Sequence, residues 1–557
     1  MKKIIVIVFL QVVTLKHSQA QNWQWAQNIH SNNWDGIEAQ CKDALGNIYA
    51  GGYFNGSFVC FQNDTIFQAA NGTTYYAKYD QNGNELWARA LNYTASASCG
   101  GGLSQLVYDS ISNSLLLSGS FCGSIDFNGT TIYSSINNDN EGFVAKLDLS
   151  GNLIWIKKAE GNGNDFISGV SYDAVDNIYI CGTNTEPTQI ESVNLPLGTF
   201  VAKLNSNGDL QWANNISGIG QYPNTVAFKV ADIKVLGTNF YIIGGTSFDN
   251  FLIDTIQFNI PNSYGSLLSK FDTSGHVIWA KLAGYPRSGS PVNSLVLDRN
   301  ENVYFISTYG DSAIFDNQVF YPFAGGDIDF VKYDKNGNFK WMQQTQCTNS
   351  AEGINVAIDA NDVLYITGKF KGTAHFGNFA LTSDNSIPNL IVNSYDAFLA
   401  AYDTSGICLG VENIPYAEGL SIVIDNSNSP ILSGRYYGGL SLGASTFTAS
   451  GPPDAFIAKH DAITGFKGFE KSFLSNQLLI QANPNSGKCT INIPEEFVNE
   501  KNLSLSIYNN KGQLIQRLPL LFNEGKIKLN LEAEAKGMYN AVLSNGSKNY
   551  SGKIIFE

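Results

Sequence analysis

Carboxylates are the side chains whose placement in this chain could do chemistry. Asp35, Asp165, Glu352 and Glu418 each precede a short alternating segment, and if those segments are equivalent strands of a repeat, the four loops gather at one rim. Two carboxylates at suitable separation could hydrolyse a glycoside, one as acid and the other as base or nucleophile. The same oxygens could hold a hard cation, and solvated rim residues are the simpler reading of all four. Other patterns are weaker. Gly439-Leu440-Ser441-Leu442-Gly443 matches the Gly-x-Ser-x-Gly string, but a nucleophile elbow needs a strand turning into a helix, and this stretch repeats a loop also found at 54–58 and 370–376. The five histidines, at 17, 30, 276, 375 and 460, are dispersed and share no metal or acid–base spacing. Asp80-Gln81-Asn82-Gly83-Asn84 and Asp334-Lys335-Asn336-Gly337-Asn338 begin like calcium loops yet lack the downstream bidentate Glu, so hairpin turns explain them better. Eight cysteines form no Cys-x-x-Cys pair; Cys41 with Cys60 and Cys99 with Cys122 are candidates for local bridges, and buried free thiols are the alternative. No catalytic residue, metal or cofactor is assigned from these patterns.

The elements that would carry those carboxylates repeat. An Ala-Lys-Tyr-Asp-like tetrad occurs seven times, ending at Asp80, Asp148, Asn205, Asp272, Asp334, Asp403 and Asp461. In five copies a tryptophan follows seven residues later: Trp87, Trp155, Trp212, Trp279 and Trp341. The intervals of 68, 57, 67 and 62 residues are too long for helical hairpin repeats and suit four-stranded β units. A second-strand motif, Gly-Asn-Ile-Tyr-Ala-Gly-Gly at 46–52, also recurs seven times, with glycines such as Gly51, Gly119, Gly182 and Gly368 ending strands where backbones approach closely. A lone four-stranded sheet cannot dry both faces, so the copies must stack. Stacking around an axis gives an all-β, seven-bladed β-propeller of four-stranded blades; a linear solenoid is the second choice. Trp25-Ala26 matches the tryptophan segment of the repeats but precedes the first complete one. Residues 23–30 are therefore expected to supply the outer strand of the last blade and close the ring.

The two ends differ from this body. Lys2-Lys3, the apolar run from Ile4 to Leu15 and Ser18-Gln19-Ala20 read as a signal peptide over residues 1–20, placing the mature start near Gln21. The chain carries a net charge of −14, but residues 471–557 hold ten Lys/Arg against seven Glu, which leaves roughly −20 on residues 21–470. An acidic body argues against nucleic acid as a partner. All eight tryptophans and every aspartate also lie before residue 471. The expected domains are thus 21–470, a propeller, and 471–557, where short strands at regular spacing read as a small β-sandwich.

Residues 23–470 resemble the bacterial family of SBBP-type β-propeller repeats, through Asp-x-x-Gly-Asn-x-Tyr-x-x-Gly, Asp-x-Phe-x-Ala-Lys-x-Asp and Asn-Gly-x-x-x-Trp. Those motifs encode blade geometry and imply no catalytic residue. The tail is similar to the type A C-terminal sorting domain of the Bacteroidetes type IX secretion system: Asn483, Pro484 and Gly487 match its first box, Gly512, Gly537, Tyr539 and Lys553 the later positions, while Gln481 and Ala482 replace the usual Tyr-Pro. The resemblance implies Sec export, passage through the outer membrane by the type IX machinery and a secreted or surface-attached product. The expected function is noncatalytic binding or adhesion to an extracellular glycan or protein, with an extracellular polysaccharide hydrolase or lyase as the alternative.

Overall fold

The computed structural model describes residues 23–556 other than 68–72, 94–100, 135–138, 218–225, 227, 247–249, 260–264, 285–291, 310–311, 317, 323–325, 384–394, 450–452, 464–477, 482–485, 495–496, 498–502, 510–513, 521–524 and 546–548. Its contacts divide into two units, 1–463 and 464–557.

Hairpin turns set the strand lengths in the first unit. In the first repeat, the Asp80 carboxylate accepts the amides of Asn82 and Asn84, each at 2.8 Å, and the Asn84 side-chain amide at 2.8 Å, while Gly83 adopts φ +80°. The turn consumes its own aspartate, so these calcium-like strings are hairpin turns that lead into the tryptophan strands. Asp334 is bound in the same way by Asn336 and Asn338.

Among the described residues these turns link seven antiparallel four-stranded sheets. The first contains Asp35–Lys42, Ile48–Phe54, Thr73–Tyr79 and Glu85–Tyr93 in that order. The seventh contains Ala417–Ile424, Pro430–Tyr436 and Asp454–His460, and its outer strand is Trp23–Ser31 from the other end of the chain. Trp25 pairs with Lys459 there, the register that Trp87 keeps with Lys78 and Trp155 with Lys146. First strands touch their neighbours from sheet to sheet, and Ala417–Ile424 touches Asp35–Lys42, so the series closes on itself as a β-propeller.

A bulge recurs in every first strand, between Ile37 and Ala39 in the first sheet and between Gly419 and Ser421 in the seventh. The extra residue is turned toward the axis, and Glu38, Ser104, Asn293 and Leu420 line the central channel. The bulge also explains the motif glycine. A Cβ on Gly52, Gly368 or Gly434 would lie 1.9, 2.0 and 1.9 Å from the carbonyl oxygens of Gly36, Glu352 and Glu418, closer than any side chain permits. In the first sheet the residue under this constraint is Gly52; Gly51, singled out from the sequence, instead faces Leu103 of the second sheet.

The motif tryptophans join neighbouring sheets. Trp25, Trp155, Trp279 and Trp341 donate their indole N–H to the turn carbonyls of Gln81, Ser206, Lys335 and Thr404 in the next sheet, at 3.1–3.3 Å. Their rings cover the positive-φ glycines of those turns, Gly83, Gly208, Gly337 and Gly406. Within each sheet, the tetrad lysines Lys78, Lys203, Lys270 and Lys332 lie 4.9–5.2 Å over the rings of the cross-strand tyrosines Tyr49, Tyr179, Tyr241 and Tyr304. Hairpins inserted between second and third strands add further links. Phe58–Cys60 with Thr65–Phe67 extends the seventh sheet by pairing with Trp23–Ser31, and the corresponding hairpins of the second and third sheets extend the first and second.

Cys41 and Cys60 are free thiols, so that proposed bridge is absent, whereas Cys122 is disulfide-bonded. Cys99 lies outside the described residues, as does the expected signal peptide. The 439–443 string forms the hairpin Gly439–Leu442 with Ser445–Thr448, which has no helix after the serine.

The second unit packs Leu479–Gln481, Lys488–Asn492 and Lys526–Asn530 against a four-stranded sheet of Leu503–Asn509, Leu514–Leu520, Gly537–Ser544 and Asn549–Phe556. Ile491, Leu505, Ile507, Leu529, Leu543 and Ile554 form the core between them. Gly487 has φ +96°, a conformation that disfavours any other residue, and packs tightly against Glu532 and Phe556. Tyr539 is buried and donates its hydroxyl to the Ala535 carbonyl. Gly537 is in the positive-φ region and Lys553 pairs through its backbone with Asn540. Asn483, Pro484 and Gly512 lie outside the described residues.

Candidate functional site

The central channel encloses about 780 Å³ between the first strands. Among the described residues, one sector of its mouth gathers paired charges and aromatic side chains together. The position just before the bulge faces the residue after the motif glycine: Gly36 opposite Tyr53, Glu352 opposite Lys369 and Glu418 opposite Arg435. The sixth, seventh and first sheets therefore place Glu352, Lys369, Glu418, Arg435 and Tyr53 side by side. In the second sheet the same pair is Gly102 and Ser120, which offers no charge.

Glu418 is the centre of this cluster. Its carboxylate accepts Arg435 Nη2 at 2.9 Å, Lys369 Nζ at 3.1 Å and the Tyr437 hydroxyl at 2.8 Å. Burial opposes its ionisation, but Arg435 and Lys369 outweigh that penalty and hold its pKa below the ordinary glutamate value. Lys369 also meets Glu352 at 3.2 Å and lies 5.1 Å over the Tyr395 ring. Burial lowers the affinity of Lys369 for its proton, and the two glutamates more than reverse this, so its pKa is raised. Arg435 donates to the Tyr53 hydroxyl at 3.0 Å and stacks 5.6 Å from the Trp34 ring, which packs edge-on against Tyr437 at 6.5 Å.

Glu38, the bulged residue of the first sheet, completes the mouth. Its carboxylate reaches the open lumen, yet the surrounding wall desolvates it and pushes its pKa up, with Arg435 partly offsetting the shift. Deeper in the channel, Gln105 of the second sheet accepts the Val170 amide of the third and donates to Asp232 of the fourth at 2.6 Å. Asp232 also accepts Lys234 and the Leu295 amide, so this stretch is a structural staple.

Of the four carboxylates expected at the rim, the structure brings two together. Glu352 and Glu418 share Lys369. Asp35 and Asp165 occupy the preceding register position, opposite Phe54 and Asn184, and are fully buried away from the channel lining. One residue along a strand reverses the direction of the side chain, and that step separates the pairs. Burial pushes both buried carboxyls up to about 8, with Asp454 adding repulsion at Asp35 and Thr188 opposing the shift at Asp165. Asp35 donates its backbone N–H to the Pro453 carbonyl, and Asp165 donates its own to Asn140 in the preceding sheet, so both are seam residues. Lys369, Arg435, Trp34 and Glu38 were not identified from the sequence. The available signal was a charge immediately after the motif glycine in two successive repeats, Gly368-Lys369 and Gly434-Arg435. Among the described residues no cluster of three or more His, Cys, Asp or Glu has a metal-binding arrangement.

Both units have similar known proteins. Residues 482–557 match the secretion system C-terminal sorting domain. An uncharacterized WD repeat-containing protein of Acanthamoeba polyphaga mimivirus is 25% identical over 434 residues, 70% of this chain; the chain spans only 28% of that protein's length. Among solved structures, the Dos1 propeller aligns at 9% identity over 78% of this chain and 95% of its own, with TM-score 0.37. An endo-arabinanase of Bacillus licheniformis aligns at 12% identity over 56% of this chain and 98% of its own, with TM-score 0.28. With a repeat architecture closed by its own first strand and a matched tail, the chain is a β-propeller repeat protein carrying a C-terminal sorting domain of the type IX secretion system.

Proposed function

We propose that the protein is exported through the type IX route as a noncatalytic binding propeller, whose ligand seat is the channel mouth formed by the sixth, seventh and first sheets. The sorting domain provides for interaction with the secretion machinery and for delivery to the cell surface or beyond it. Binding is favoured over hydrolysis by one observation: both carboxylate oxygens of Glu418 are engaged, one by Lys369 and Arg435 and the other by Tyr437, so neither is free to attack a substrate or take a proton. Part-exposed Trp34 and Tyr53 beside paired charges, with buried Tyr437 behind them, form a surface suited to an extracellular glycan or a polar protein segment. The test is a glycan and protein array probed with the purified chain and with Trp34→Ala and Arg435→Gln variants. Hits that belong to the channel mouth are expected to be lost in both variants; an array on which every hit survives in both would refute the seat.

A hydrolase or lyase is the second reading, because Glu38 has a raised pKa in the same lumen as ionised Glu418, the division of roles that acid–base catalysis uses. Turnover of an array hit that disappears in Glu38→Gln would establish it; intact ligand after prolonged incubation would reject it.

A further inference from the structure

The seam between the third and fourth sheets departs from the other tryptophan seams in the way its indole is held. Elsewhere the indole N–H of the seam tryptophan is donated to the next turn, or, at Trp87, the ring is covered by the Arg89 guanidinium at 5.3 Å. Trp212 does neither. Its ring stacks instead against Phe240 at 6.4 Å and 28°, and Gly275 of the next turn meets only the benzo edge, so the indole N–H has no acceptor among the described residues. The hairpin of Asn250–Ile253 and Ile256–Asn259 meets the outer strand that carries Trp212 through one backbone bond, from the Asp254 N–H to the Ile216 carbonyl at 3.0 Å, and not through a ladder. Beside it lies a cleft. It comprises two adjoining cavities of about 540 and 390 Å³, which share Asn214 and His276.

We propose that this cleft is a second, peripheral binding site for a neutral oligosaccharide, separate from the channel mouth. Trp212, Gln211 and Asn214 form one wall from the outer strand of the third sheet, and His276 forms the other from the turn of the fourth. An indole N–H, two carboxamides and an imidazole supply donors and acceptors together, which is what sugar hydroxyl groups require, since each hydroxyl donates once and accepts twice. The charged side chains do not favour an ionic ligand. Lys203 lies 5.2 Å over the Tyr179 ring, and the single carboxylate, Asp254, accepts the Val277 amide at 3.1 Å. The size of each cavity falls within the range of small-ligand sites, roughly 300–1,000 Å³.

The test titrates the full chain with cellohexaose, xylohexaose, mannohexaose and laminarihexaose, using calorimetry and tryptophan emission. At least one hexaose is expected to bind and to shift an emission component that is missing in Trp212→Phe. That variant keeps the stacking ring and removes the N–H, and should weaken binding about tenfold, the effect of one lost hydrogen bond left uncompensated. Asn214→Ala, on the cleft wall, should weaken it similarly if the phenylalanine variant proves unstable. Failure of all four hexaoses to bind would overturn the proposal, as would binding unchanged in both variants. Binding abolished by Trp34→Ala but not by either cleft variant would also overturn it, while supporting the channel-mouth seat.

Discussion

Replacing Trp25 by alanine tests whether the first strand closes the ring as firmly as the internal seams are closed. Removing a fully buried tryptophan costs about 3–5 kcal/mol. Trp25 is half-buried, and its indole bond to the Gln81 carbonyl is long at 3.3 Å, so the loss should be about 2 kcal/mol, near half the core value. Spread over a unit of about 440 residues, with an unfolding entropy of about 2 cal/mol/K per residue, this lowers Tm by only about 2 °C. Differential scanning calorimetry should therefore be paired with denaturant midpoints, and Trp155→Ala serves as the reference. Trp155 covers Gly208 and donates to the Ser206 carbonyl at 3.1 Å, the same contacts within a continuous stretch of chain. If the propeller unfolds as one closed ring, the two variants lose similar stability. A midpoint unmoved by Trp25→Ala beside a clear drop for Trp155→Ala would show that the closing strand contributes nothing to the cooperative unit, and the reasoning would fail.

Gly434→Ala should abolish soluble expression, because its Cβ would lie 1.9 Å from the Glu418 carbonyl, whereas Gly245→Ala, with open space around it, should leave yield and circular dichroism unchanged. Asp35 and Asp165 set a pH dependence: from about pH 4 to about 8 the unfolded chain has released these protons while the folded chain retains them, so stability falls as pH rises through that window. Asp35→Asn should gain a few kcal/mol at pH 8 and almost nothing at pH 4, and parallel melting curves for wild type and variant at both pH values would contradict this. Asp334→Ala removes the acceptor of two turn amides and should cost about 1–2 kcal/mol. Because that carboxylate serves the turn, millimolar calcium should leave the wild-type melting temperature where it was; a calcium-dependent rise that vanishes in the variant would restore the cation-loop reading.

The repeat was readable in the sequence because each motif residue meets a constraint imposed in every sheet. Trp25 could be recognised as a displaced outer strand from its match to Trp87 and Trp279, since the indole must sit opposite the tetrad lysine wherever it lies in the chain. The site was less legible. Asp35, Asp165, Glu352 and Glu418 look equivalent when counted from the start of a strand, but the pairing register puts the first two opposite Phe54 and Asn184 and the last two opposite Lys369 and Arg435. A one-residue offset is invisible to composition and reverses a side chain's direction. The bulge that turns Glu38 into the lumen was equally hidden, because an extra residue leaves the alternating pattern intact on either side of it.

The seventh sheet joins the earliest described strand of the first unit, Trp23–Ser31, to its latest, Asp454–His460. Until Asp454–His460 exists, Trp23–Ser31 can pair within its own chain only at His30 and Ser31, with Phe58–Cys60, although Trp23 and Ala26 on one face and Ile29 on the other must be covered. Two incomplete copies that meet at this stage can each lend that strand to the other's seventh sheet, making the same hydrogen bonds across two chains and yielding an exchanged dimer without any new interface. Dilution during refolding should then decide between monomer and exchanged dimer, because the competing closures differ only in whether the partner strand is tethered to the same chain.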